Sequence, residues 1–120
     1  MAYDDGNIFA KILRGEIPSK KVAEDEHTLA FEDINPLRAV HVLVIPKGAY
    51  VDWCDFAATA SADEQTAFTR MIAYVADITG IAGSGYRVIS NIGRDGGQEV
   101  PHLHMHVLGG EPVGSLVPRG

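Results

Sequence analysis

His102-Leu103-His104-Met105-His106-Val107-Leu108 alternates imidazole and apolar side chains near the end of a 120-residue chain. A period of two is a strand signal, because residues two apart project from the same face, roughly 6.6–6.8 Å apart along the backbone. The pattern predicts a strand over 102–108, with His102, His104 and His106 on one face and Leu103, Met105 and Val107 packed behind them. A row of imidazoles is a site for chemistry, since imidazole is both a nucleophile and a proton carrier near neutral pH. Just upstream runs Gly93-Arg94-Asp95-Gly96-Gly97-Gln98-Glu99-Val100, a glycine-rich turn of the kind that presents backbone N–H groups to an anion. Imidazoles beside an anion cradle point to a phosphate ester or phosphoramidate as substrate.

Working outward, Tyr86 to Ile92 reads as the strand before this one. His41-Val42-Leu43-Val44-Ile45 is a β-branched strand ended by Pro46, and Lys21 to Glu24 and Thr28 to Ile34 are two strands joined by the acidic turn Asp25-Glu26. Asn7 to Gly15 has helical spacing with a glycine stop. Ser61 to Gly80 is a long helix, opened by a capping box from Ser61 and Glu64 and striped by Phe68, Met71, Ile72, Val75 and Ile78. Trp53 and Phe56 are expected to anchor the connection before it in the core. The expected fold is α+β: a five-stranded antiparallel sheet with one long and one short helix, in a single domain over 1–112. An open sheet edge beside an apolar helix predicts a homodimer that extends the sheet. Residues 113–120 form a tail. Its Leu116-Val117-Pro118-Arg119-Gly120 has the order of a thrombin cleavage site, so part of it is readable as vector-derived.

The net charge of −6 supplies no basic stripe for a nucleic-acid polymer, although local backbone donors can still hold a small anionic nucleotide. No apolar run approaches the ~20 residues that span a bilayer, and Met1-Ala2-Tyr3-Asp4-Asp5 lacks the character of a signal sequence. Cys54, the single cysteine, fits a reducing cytoplasm and is expected to be a small buried hydrophobe. Three histidines on one straight strand do not share a metal: the outer two lie ~13 Å apart, against bonds of ~2 Å. Two of them with His41 keep that option open, but no metal and no cofactor are expected.

The chain resembles the histidine triad superfamily, and within it the Hint branch of nucleotide-binding phosphoramidases. The family signature, histidine alternating with apolar residues, is met without departure by residues 102–108. Ile8-Phe9-Ala10-Lys11-Ile12, Ala30-Phe31-Glu32-Asp33-Ile34-Asn35-Pro36, His41-Val42-Leu43-Val44-Ile45-Pro46-Lys47 and Gly96-Gly97-Gln98 match in order and spacing. The resemblance implies that His104 attacks phosphorus and carries a nucleotidyl group. Chemistry agrees, because a neutral imidazole attacks and leaves readily, splitting one hard displacement into two. It also implies that His102 and His106 orient the nucleophile and hydrogen-bond the phosphate and leaving group, and that His41 joins their network.

By the same resemblance, Asp33 binds ribose, while Asn91 and the backbone donors of Gln98, Glu99 and Val100 hold the phosphate. Ile8, Phe9, Ile12, Phe31, Ile34 and Leu43 form an apolar slot for a purine. Glu99 stands where animal members have serine; an ionised carboxylate accepts hydrogen bonds and does not donate them, which suits a cationic, lysine-like leaving group. The expected activity is hydrolysis of the P–N bond of purine nucleoside phosphoramidates, such as lysyl- or aminoacyl-AMP. The expected ligand is a purine nucleoside monophosphate or its phosphoramidate. Two alternatives are a dinucleoside polyphosphate hydrolase and a nucleotide- or partner-binding regulatory module with incidental hydrolysis.

Overall fold

A computed structural model describes residues 2–116. Its elements, in chain order, are α1 (Ile8–Leu13), β1 (Lys21–Glu24), β2 (Thr28–Glu32), β3 (Val40–Pro46), α2 (Trp53–Thr59), α3 (Ala62–Ile78), β4 (Tyr86–Ile89) and β5 (Met105–Gly109). The strands form one five-stranded sheet in the order β1-β2-β3-β5-β4, and every neighbouring pair is antiparallel. This is the α+β fold the sequence predicts.

The sheet has two differently used faces. Ala30, Val42, Val44 and Val107 point to one side and pack with Phe56, Phe68, Met71 and Val75. The alternate residues Leu29, Phe31, Leu43 and Ile45 point to the other side and pack with Phe9 of α1. That second face also carries the histidines, since His41 shares the parity of Leu43 on β3 and His106 sits opposite Leu43 in register. Helix α1 is short and held by local devices. The Asn7 side chain accepts from the N–H of Ala10 at 2.9 Å, and the chain leaves through Gly15 at φ +77°, where a side chain would be strained. Helix α3 begins with both halves of the Ser61–Glu64 capping box in place. Its stripe buries Phe68, Met71 and Val75, half-buries Ile72, and leaves Ile78 exposed.

Three expectations need correction. A third helix, α2, follows β3. Asp52 caps it by accepting from the N–H of Asp55 at 2.9 Å, and seven residues are too few to display a periodicity. Its Phe56 is buried as expected, whereas Trp53 is exposed on one side while its ring meets Phe56 and Phe68, and Cys54 is exposed rather than buried. Finally, β5 starts at Met105, so His102, Leu103 and His104 precede the strand instead of lying in it. Likewise β2 ends at Glu32 and β4 at Ile89, short of Ile34 and Ile92. The tail is tied down at its start: Arg38 and Arg87 donate to the carbonyls of Val113 and Gly114 at 3.1 and 2.9 Å. Residues 117–120 of the vector-like stretch lie outside the described residues.

Candidate active site

The end of β3 and the loop after it are a template for the segment that enters β5. The Pro46 carbonyl accepts from His102 Nε2–H at 2.8 Å, the Tyr50 carbonyl from the Leu103 N–H at 2.8 Å, and the Val51 carbonyl from Gln98 Nε2 at 2.7 Å. These bonds, with Pro101 ahead, replace the ladder bonds that a strand over 102–104 would make. The result is not a row. His102 turns inward and is wholly buried, Leu103 drops into the α3-side core, and His104 lies with its ring centroid 5.2 Å from that of His106. Ser90 Oγ–H donates to the His104 carbonyl at 3.0 Å and steadies the segment from β4's side.

Hydrogen-bond partners assign each imidazole its tautomer, because a carbonyl only accepts and an amide N–H only donates. His104 Nδ1 lies 2.8 Å from the His102 carbonyl, so Nδ1 carries the proton and Nε2 keeps a lone pair. His102 Nε2 faces the Pro46 carbonyl, so its Nδ1 is the acceptor of the Tyr3 hydroxyl at 2.5 Å. His41 Nδ1 accepts from the Leu37 N–H at 3.0 Å; its Nε2 therefore bears the proton and donates to His106 Nδ1 at 2.9 Å. By elimination His106 presents Nε2–H, without a protein acceptor among the described residues.

All four rings are held neutral. Burial is the chief cause in each case, and it pushes His102 and His106 down to about 4 from the ordinary 6.5. Burial also lowers His104, opposed by its bond to the His102 carbonyl and by the charges of Asp33 and Glu99. It lowers His41 as well, with Asp33 opposing. Phe9 contributes to the dry wall, its ring 4.9 Å from that of His104 in an edge-on arrangement. The site thus contains an imidazole nitrogen with a free lone pair, a second imidazole offering N–H, and no protonated histidine at pH 7.

Asp33 Oδ2 lies 3.4 Å from His41 Nε2, while its Oδ1 accepts from the Asn35 N–H at 2.8 Å. Asp33, His41 and His106 offer ligand atoms within 4.8 Å of one another. Their arrangement fits a proton better than a metal. Two nitrogens on a tetrahedral zinc stand roughly 3.3 Å apart, whereas these are 2.9 Å apart. Metal-bound imidazoles donate their second N–H, whereas His41 Nδ1 accepts one.

The glycine-rich turn is closed by its own glutamine. The Gln98 N–H goes to the Gly93 carbonyl at 3.0 Å, its Oε1 accepts from the Gly93 N–H, and its Nε2 reaches the carbonyls of Val51 and Val100. Gly96 is obligatory here, since a Cβ would stand 2.3 Å from the Ile92 carbonyl oxygen. Glu99 and Val100 N–H are not spent on any acceptor among the described residues.

A family model described as the HIT domain matches residues 14–113. The chain belongs to the HIT-domain family. An uncharacterized HIT-like protein of Azospirillum brasilense is 55% identical over 118 residues, covering 98% of this chain and 97% of its own. A protein of Escherichia coli K12 named purine nucleoside phosphoramidase is 46% identical over 113 residues, covering 92% of each. Among solved structures, a HIT family hydrolase from Clostridium thermocellum superposes with a TM-score of 0.87 at 38% identity, covering 96% of this chain and 99% of its own.

Against the HIT signature, the sequence-expected residues divide. His41, His104, His106 and Asp33 come together, joined by Phe9. His102 is adjacent, but both its ring nitrogens are engaged by the protein, which leaves it no donor for a phosphate. Gln98 is likewise removed as a phosphate donor, and its role is to shape the turn. Of the apolar slot, Phe9, Phe31 and Leu43 are buried together, with Ile12 and Val100 packed against them. Ile34 is 91% exposed and Ile8 is exposed, so neither forms a closed wall. Asn91 is half-buried two residues past β4. Sequence reasoning missed Tyr3, Leu37, Ser90 and the carbonyls of Pro46 and Tyr50. Only the aromatic at 3 carried any signal, and nothing local tied it to His102.

Proposed function

We propose that this HIT protein is a purine nucleoside phosphoramidase working through a nucleotidyl-His104 intermediate. The observation that carries the reading is the bond from His104 Nδ1–H to the His102 carbonyl, which leaves a neutral ring with an unpartnered Nε2 lone pair. In the first displacement the His104 Nε2–P bond forms as the P–N bond breaks, and the amine leaves with the P–N electron pair. The bond to the His102 carbonyl steadies the positive charge that develops on the ring. In the second, water attacks phosphorus and His104 leaves, releasing the nucleoside monophosphate. The departing amine takes a proton from solvent in the first step, and the attacking water returns one in the second as its hydroxyl stays on phosphorus, so over both steps one water is consumed.

His106 Nε2–H is the donor to a phosphoryl oxygen, joined by the free N–H groups of Glu99 and Val100 and by Asn91. Asp33 takes the ribose hydroxyls, and the purine lies in an open slot of Ile8, Phe9, Ile12, Phe31, Ile34 and Leu43, whose exposed members Ile8 and Ile34 it would cover. The charge of Glu99, felt at His104, favours a cationic leaving amine. Exchanging Glu99→Ser should narrow the preference for lysine-like over neutral amines; an unchanged preference would remove Glu99 from this role. No metal takes part in this reading. The name of the E. coli relative supports the substrate class.

The working unit we propose is a cytoplasmic homodimer. No helix among the described residues is long and apolar enough to cross a membrane. Helix α3 packs across β1, β2, β3 and β5, while Tyr86 and Val88 of the edge strand β4 stay 41% and 39% exposed. A second copy paired along β4 would cover them.

Single-turnover hydrolysis of an adenosine phosphoramidate with a fluorescent amine, run with a chelator, tests the activity. Rapid amine release lost in His104→Ala is expected. Binding of AMP with turnover no faster than His104→Ala would hand the site to a binding module.

A further inference from the structure

We infer that Tyr3 is a positioning residue for the His104 nucleophile, acting through His102; this rests on the phosphoramidase reading above. Tyr3 lies outside the residues 14–113 that match the HIT family model. Its hydroxyl donates to His102 Nδ1 at 2.5 Å, and the two rings meet edge-on with centroids 5.5 Å apart. The segment that delivers it is fixed locally. Asn7 Nδ2 donates to the Asp4 carbonyl at 2.8 Å, and Arg14 reaches the Asp5 carbonyl at 2.9 Å.

The consequence runs through one residue in two directions. His102 is buried between the Tyr3 hydroxyl and the Pro46 carbonyl, a donor on one side and an acceptor on the other. That pairing admits a single neutral tautomer, Nε2–H. Remove the donor, and Nδ1 becomes a buried lone pair without a partner, which is costly. The Pro46 carbonyl still requires Nε2–H, so the ring relieves the cost only by rotating toward another donor, which loosens the bond to Pro46. The backbone of the same residue supplies the carbonyl that holds His104 Nδ1–H. A shift at 102 therefore reaches the nucleophile's lone pair directly. Among the described residues the hydrogen bond and the ring contact of Tyr3 both go to His102 and none goes to His104, so its effect belongs to orientation.

The test is Tyr3→Phe, which keeps the ring contact and removes only the hydroxyl, in protein labelled with 15N-histidine. In the wild type, His102 should show a protonated Nε2 and a lone-pair Nδ1 at neutral pH. In Tyr3→Phe the Nδ1 signal should move toward that of an unbonded lone pair and the Nε2–H signal should shift as its bond to Pro46 loosens, and kcat should fall about ten-fold with KM changed by less than about two-fold. A wild-type His102 protonated at Nδ1 would overturn the inference without any variant. So would a Tyr3→Phe protein with unchanged His102 nitrogen signals and kcat. If Tyr3→Ala loses activity while Tyr3→Phe does not, the ring's packing is the cause and the hydroxyl's role is refuted. Should no phosphoramidate be hydrolysed at all, the nitrogen spectra still decide the Tyr3–His102 link, while the function above fails by itself.

Discussion

The site's imidazoles form two pairs built on opposite plans. His102 and His104 lie outside the strands, and each donates to a backbone carbonyl, of Pro46 and of His102 respectively. His41 and His106 lie on β3 and β5, diagonal to each other in register, and bond ring to ring. The first plan fixes a proton on Nδ1 of His104 and so bares the lone pair of Nε2. The second passes the Leu37 N–H through His41 and leaves His106 with an outward N–H. One signature of three alternating histidines therefore yields a bared lone pair at His104 and an outward N–H at His106, through different partners rather than different residue types.

Substitutions should separate the two pairs by size of effect. His104→Ala removes the attacking atom, and kcat should fall by at least ~10⁴-fold in steady-state turnover; a loss under ten-fold would break the division of labour. His106→Ala removes a donor only, for which about 10²-fold is expected, with the intermediate still forming. His41→Ala frees His106 Nδ1 to take the proton itself. We expect kcat about ten-fold lower, with a protonated His106 Nδ1 in 15N spectra.

Both pairs should weaken the fold in acid. The folded pKa values of His102 and His106, about 4, lie below the ordinary 6.5, so the unfolded chain binds more protons between those limits. Their contribution to stability is complete above pH 6.5, falls as pH drops toward 4, and changes no further below it. Urea unfolding at pH 7 and pH 5 should show the loss, up to ~1.4 kcal/mol per pH unit for a fully buried ring such as His102. Smallest of all, Ser90→Ala removes one bond to the His104 carbonyl. Thermal unfolding should register about 1 kcal/mol, with kcat within about three-fold.

What the sequence disclosed follows the range of the causes. The α3 stripe, its Ser61–Glu64 box and the five strands are legible because alternation and helical spacing are local, whereas the order β1-β2-β3-β5-β4 departs from the simple meander the sequence suggests, because β5 inserts between β3 and β4. His104, His106, His41 and Asp33 were legible as a set through the family pattern, and their meeting needs only adjacent strands in register. The turn of His102 away from the row was not legible, because acceptors at Pro46 and Tyr50 belong to the end of β3 and the loop after it, more than fifty residues earlier in sequence. Tyr3 is more remote still, 99 residues from its partner. Gln98 misled for the opposite reason: its amide groups close the turn that carries it, and composition cannot distinguish a donor used inward from one left free. Helix α2 escaped because Asp52 and two aromatics make a cap and a contact without a full period.

The most direct measurement is mass spectrometry of the protein quenched during the first turnover of an adenosine phosphoramidate. The account predicts an adenylyl adduct on the peptide containing His104, formed and lost within the turnover time and absent in His104→Ala. Rapid turnover with no adduct on that peptide, or an adduct that persists in His104→Ala, would contradict it.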